Sequence, residues 1–137
     1  MSSKTVLIVD DSSLITESLG MRLRSEGYKV ATALDPGEAF ALVRTEAPDA
    51  IIMDINFPPD VGFGGGGAWD GYRILEWMKL NKSLGNAVQF LITADDVEKH
   101  REKAMAAGVT EIFQKPIDAK ALLFKLRECL QNPAPAT

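Results

Sequence analysis

Cysteine is nearly absent: Cys129 stands alone in 137 residues. One thiol excludes an internal disulfide framework and a cysteine-rich zinc site. Its place among Leu122, Leu123, Leu126 and Leu130 suggests a packed helix position instead. Histidine is equally scarce. His100 is flanked by Glu98, Lys99, Arg101 and Glu102, so it reads as a solvated side chain rather than a phosphorelay histidine or a metal ligand. Positive charge is in deficit, with 15 Lys+Arg against 19 Asp+Glu and a formal net charge of −4. Such a balance gives no bulk attraction for nucleic acid. No apolar run approaches the roughly 20 residues that cross a bilayer. The start, Met1-Ser2-Ser3-Lys4, lacks the apolar stretch of a signal peptide. The expectation is a cytoplasmic protein with no membrane partner.

What is present suits one domain with one core. Short apolar runs alternate with segments of helical period. Thr5–Val9 reads as a strand and ends in Asp10-Asp11. Ser13 to Glu26 places Leu14, Met21 and Leu23 near helical spacing, with Gly27 as a stop. Tyr28–Thr32 is a second strand. Asp35-Pro36-Gly37-Glu38 starts a helix, with a capping Asp, a first-turn Pro and a capping-box Glu, and the helix runs to about Glu46. Ala50–Met53 is a third strand, ending at Asp54. A long loop leads to a helix from Asp70 to about Leu80, where Trp77 falls at packing distance from Tyr72 and Ile74. Val88–Ile92 is a fourth strand. Asp95 or Asp96 caps the next helix, whose charges read as a wet face and which stops at Gly108. Glu111–Gln114 is a fifth strand and Asp118–Gln131 a last helix. Five β/α units with continuous apolar strands predict a single α/β domain over 1–131, a doubly wound five-stranded parallel sheet with five helices. Residues 132–137, Asn-Pro-Ala-Pro-Ala-Thr, read as a flexible tail or the start of a linker.

In such a sheet, ligands collect at the carboxyl ends of the strands. Those ends carry Asp10-Asp11, Asp54, Thr93 and Lys115. Three carboxylates drawn together repel unless a cation sits among them, and hard oxygen ligands suit Mg²⁺. A carboxylate can attack phosphorus and hold a covalent aspartyl phosphate. The lysine neutralises a phosphoryl oxygen and Thr93 can donate a hydrogen bond to the group. Ala94 is small and leaves room for a donor.

Over nearly its whole length the chain then resembles the response regulator receiver family, with its flavodoxin-like fold. The matching pieces are Val6-Leu7-Ile8-Val9-Asp10-Asp11-Ser12, Ile51-Ile52-Met53-Asp54, Asp70-Gly71, Thr93-Ala94 and Gln114-Lys115-Pro116. The resemblance implies a phosphorylation-controlled signalling switch rather than an enzyme acting on other substrates. In it, Asp54 accepts a phosphoryl group from a phosphohistidine on a histidine kinase or phosphotransfer protein. It implies that Asp10 and Asp11 organise Mg²⁺, with Asp11 the favoured direct ligand beside Asp54 and the main-chain carbonyl of Asn56. Lys115 would pair with the acceptor, and Thr93 would move towards the phosphoryl group and alter docking of an output partner or effector domain. Asn56 and Asp95 stand two residues past the acceptor and the threonine, where the family sets its hydrolysis rate.

Two departures stand out. The family usually has Tyr or Phe three residues before the strand-end lysine, and here that position is Ile112; Phe113 should face the other side of the sheet. The segment between Asp54 and Asp70 exceeds the family's usual length and contains Gly64-Gly65-Gly66-Gly67. It lacks the Lys-Ser/Thr of a nucleotide loop, which leaves a plain insertion or a loop that lies beside Asp54 and tunes access to it. Two other readings compete. A haloacid-dehalogenase-type phosphatase needs Asp-x-Asp after its first strand, but Asp10 is followed by Ser12. A receiver-like scaffold would bind partners without phosphorylation.

Overall fold

The computed structural model describes residues 4–56 and 71–131. The elements alternate as expected: β1 (Thr5–Val9), α1 (Ser13–Ser25), β2 (Lys29–Ala33), α2 (Pro36–Glu46), β3 (Ala50–Asp54), α3 (Gly71–Leu80), β4 (Val88–Thr93), α4 (Val97–Ala106), β5 (Glu111–Gln114) and α5 (Ala119–Gln131). All strand pairs are parallel, in the order β2-β1-β3-β4-β5. The chain winds outward in both directions from β1 and β3, so the strand order reverses between them and opens a crevice there.

Side-chain alternation along the strands feeds two cores. Leu7, Val9, Ile51, Met53, Leu91 and Ile112 face one side with residues of α2, α3 and α4. Val6, Ile8, Ala50, Ile52, Phe90 and Ile92 face the other with α1 and α5. Ile112 and Phe113 therefore part company as predicted. Phe113 packs on the α1/α5 side, its ring centroid 5.4 Å from that of Phe90.

Helix ends follow their local chemistry. The Asp35 side chain accepts the Glu38 N–H, and the Glu38 carboxylate reaches back to the Leu34 N–H. Gly27 and Gly108 stop α1 and α4 at φ of 98° and 84°, where a β-carbon would be strained. At each stop the N–H groups of the glycine and the next residue close back onto the final turn.

The three apolar positions read at helical spacing in α1 do not share one face. Leu14 and Met21 do not face the core: they are 75% and 68% exposed, while Thr16, Leu19, Gly20 and Leu23 form the buried stripe of α1. Leu14 and Met21 are seven residues apart and share a face. Leu23 lies two residues beyond Met21, about 200° around the helix, and so on the opposite side. Trp77 packs as expected, on Phe40 with ring centroids 5.0 Å apart, and is 45% exposed. Cys129 is partly buried against the α1/α5 core, and burial pushes its thiol pKa up, as suits a packing residue. Residues 57–70 and the tail 132–137 lie outside the described residues, and with them the expectations for the Gly-rich segment, the Asp70 helix start and the linker.

Candidate functional site

The carboxyl edge of the sheet assembles the site because three neighbouring strands end there in polar residues. Asp10 leaves β1 fully buried, its N–H bonded to the Ala33 carbonyl at 3.1 Å and its Oδ1 accepting the Ser12 N–H at 2.9 Å. Asp54 closes β3 at 2% exposure, and Thr93 closes β4 at 0%. Lys115 follows β5, anchored by its N–H to the Thr93 carbonyl at 2.7 Å and followed by a cis bond to Pro116. Continuous apolar strands bury these ends, and the polar residues are then desolvated by position alone.

The predicted residues meet. Asp10, Asp11 and Asp54 each bring one carboxylate oxygen within 4.8 Å of the others, Asp11 from an exposed position. Lys115 Nζ lies 2.9 Å from Asp10 Oδ2 and 3.4 Å from Asp54 Oδ1. The closer contact is an ion pair off line for a conventional hydrogen bond, and Asp10 Oδ2 has no hydrogen-bond partner among the described residues. Burial, then repulsion from Asp10, pushes the Asp54 carboxyl up to about 6, against the pull of Lys115 and the Asn56 N–H. Burial alone would lower the Lys115 pKa. The Asp10 contact and the charges of Asp54 and Asp10 outweigh it and raise the value. One lysine thus faces two buried carboxylates. The residue set fits a hard dication: three clustered oxygen donors, two of them on buried residues, and an Asp54 carboxyl that is costly to ionise.

Several functional contacts were not legible in the sequence. Asn56 does more than stand near Asp54: its N–H donates to Asp54 Oδ1 at 3.2 Å and its Oδ1 accepts from the Thr93 hydroxyl at 3.2 Å. Thr93 Oγ1 in turn accepts the Asp95 N–H at 3.0 Å. Gly71 is required by space, since a β-carbon there would fall 2.5 Å from the Asp54 carbonyl oxygen and 2.9 Å from Met53 Cγ. A glycine opening a helix directly after a long loop was the available signal. His100 is not simply solvated. Its side chain is 19% exposed, its Nε2 lies 3.2 Å from Asp95 Oδ2 and its ring neighbours that of Tyr72. Ser12, which stands where a dehalogenase-type phosphatase needs its general acid, instead caps α1 by accepting the Ile15 N–H at 3.3 Å.

The arrangement sets a buried carboxylate against a lysine ammonium at a crevice of the sheet, and comparison with known proteins gives the family. The family model of the response regulator receiver domain matches residues 6–127. The response regulator MprA of Mycolicibacterium vanbaalenii is 31% identical over 131 residues, which are 95% of this chain and 52% of that protein. The chain thus spans about half the length of the curated relatives it matches. Among solved structures, the CheY-like receiver domain protein of Methanospirillum hungatei JF-1 superposes with a TM-score of 0.78 at 28% identity, covering 95% of both chains. The chemotaxis protein CheY4 of Vibrio cholerae gives 0.80 at 26%, covering 94% of this chain and 100% of that one. With its fold, its strand-end carboxylates and its relatives in agreement, the chain belongs to the response regulator receiver domain family.

Proposed function

We propose that Asp54 is the phosphoacceptor of this receiver domain and that its phosphorylation by a histidine kinase or phosphotransfer protein in the cytoplasm switches docking to an output partner. The observation that carries the reading is the buried Asp54 carboxylate at the end of β3, with Lys115 Nζ at 3.4 Å and two further carboxylates beside it. An Asp54 oxygen attacks phosphorus, the P–N bond of the donor phosphohistidine breaks, and its electron pair returns to the imidazole, which takes up a proton. Lys115 moves its charge from the free carboxylate to a phosphoryl oxygen, and Thr93 donates its hydroxyl to another. Asp10, Asp11, Asp54 and the Asn56 main-chain carbonyl would hold Mg²⁺, which supplies neutralisation of the phosphoryl charge when bound. Hydrolysis of the aspartyl phosphate returns the switch to rest, so the domain turns over its own phosphate and no other substrate.

A donor must bring its phosphorus in line with Asp54 and so contacts the surface that carries Lys115. That surface continues into an open apolar groove lined by Leu14, Ile15, Met21, Pro116 and Ile117. The exposure of Leu14 and Met21, unexplained by the core, supports a donor seated there.

Incubation with a small acyl phosphate and Mg²⁺, followed by intact-mass measurement, tests the proposal. The native chain should gain one phosphoryl group, and Asp54→Asn or prior chelation should abolish the gain. A native chain that gains no mass would overturn the proposal in favour of a phosphorylation-independent scaffold.

A further inference from the structure

Ile112 leaves Thr93 without an aromatic partner on β5, yet Thr93 is not isolated. Its hydroxyl donates to Asn56 Oδ1 and accepts the Asp95 N–H. Asp96, rather than Asp95, caps α4 by accepting the Glu98 N–H at 3.1 Å. The Asp95 carboxylate instead meets His100 Nε2 at 3.2 Å. The carboxylate is the acceptor when the imidazole presents its Nε2–H. His100, on α4, is itself held against α3. The Tyr72 hydroxyl of α3 donates to its carbonyl at 3.3 Å, the two rings lie 6.0 Å apart, and Lys103 Nζ sits 4.4 Å from the centre of the Tyr72 ring. One run of contacts therefore joins the acceptor to the α3/α4 surface: Asp54, Asn56, Thr93, Asp95, His100, Tyr72.

A hydroxyl carries one proton. Thr93 cannot donate to a phosphoryl oxygen while it donates to Asn56, so phosphorylation must break that bond and turn Oγ1. The Asp95 N–H follows Oγ1, and the Asp95 carboxylate is held by His100. We propose that His100 is a positioning residue that braces the β4–α4 connection in its resting arrangement and carries the movement of Thr93 to Tyr72 and the face of α3 and α4. This inference rests on the reading of Asp54 as phosphoacceptor. A contact present in only one of two arrangements biases the equilibrium towards that arrangement. Removing the brace should therefore ease entry into the phosphorylated arrangement.

The test compares phosphorylation rates from a small acyl phosphate with Mg²⁺ for the native chain, His100→Leu, His100→Gln, Asp95→Ala and the Asp95→Ala/His100→Leu double variant. His100→Leu should react about threefold faster, and the double variant should react no faster than Asp95→Ala alone, as members of one contact do not add. His100→Gln, which keeps an N–H donor at similar reach, should return the rate to the native value. A second measurement needs no variant at His100: the imidazole ¹⁵N signals of the native chain should shift on phosphorylation and stay put in Thr93→Ala. A native rate in His100→Leu, additive effects, failure of His100→Gln to restore the rate, or unmoved imidazole signals would each overturn the brace while leaving Asp54 as acceptor. A native chain that never gains phosphate would remove both readings together.

Discussion

The carboxyl edge of the sheet has two parts that contrast sharply. In the acidic pocket Asp10 and Asp54 are buried at strand ends, with the partly exposed Lys115 against them, and the group is electrostatically frustrated. The shoulder sets the partly exposed Asp95 and His100 against the buried Tyr72 and is held by single hydrogen bonds and a ring contact. Thr93 stands between them, buried like the first and bonded to the second. The difference teaches where strain and readout belong. Charges that repel are tolerated where packing overdetermines their positions. A switch that must move at small cost is drawn from contacts that contribute little to the fold.

The contrast can be broken most forcefully at Lys115. Lys115→Ala strands Asp10 and Asp54 without their counter-charge and should cost about 3 kcal/mol in metal-free protein, in line with removal of one partner from a buried pair. Urea unfolding with and without Mg²⁺ measures it, and a loss below 1 kcal/mol would show that the pocket is less frustrated than its geometry implies.

Asp54→Asn should act in the opposite direction. The folded Asp54 carboxyl titrates near 6, above its ordinary 3.8. The fold therefore favours the protonated form. That stabilisation is complete below pH 3.8 and is lost as pH rises through about 6. The amide variant escapes the loss, so above pH 7 and without metal it should be more stable by about 2–3 kcal/mol. The advantage should fade to nothing on acidification to pH 3.8. Thermal melts across that range decide the matter; a pH-independent difference would disprove the cause.

Gly71→Ala should cost about 1–2 kcal/mol, because the new methyl meets backbone oxygen and strand atoms rather than a flexible side-chain tip. It should also slow phosphorylation by displacing the end of β3. The smallest effect sharpens the comparison from the other side. His100→Leu should change stability by less than about 1 kcal/mol, as loss of a partly exposed side-chain contact usually does. A large destabilisation would place the shoulder with the rigid pocket.

Much of the molecule was legible before any coordinates. The alternation of apolar runs and helical segments predicted all ten elements, and Asp35-Pro36-Gly37-Glu38 and Gly108 announced their helix boundaries. The strand-end residues Asp10, Asp11, Asp54 and Lys115 were assembled correctly by one rule of parallel sheets, with Thr93 bonded alongside. Helix faces were less legible. The spacing of Leu14, Met21 and Leu23 marks a helix but not its buried face, which the packing of α1 on the sheet gives to Leu19, Gly20 and Leu23.

Sequence by itself determined the order of elements and which polar residues terminate each strand, because backbone propensity, capping and hydrophobic period act over a few residues. Tertiary structure alone decided that Asn56 accepts a hydrogen bond from Thr93, that Asp95 turns to His100 while Asp96 caps, and that a side chain at position 71 meets the end of β3. Those outcomes depend on ångström-scale distances between elements, and such distances are set only when both faces of the sheet are packed at once.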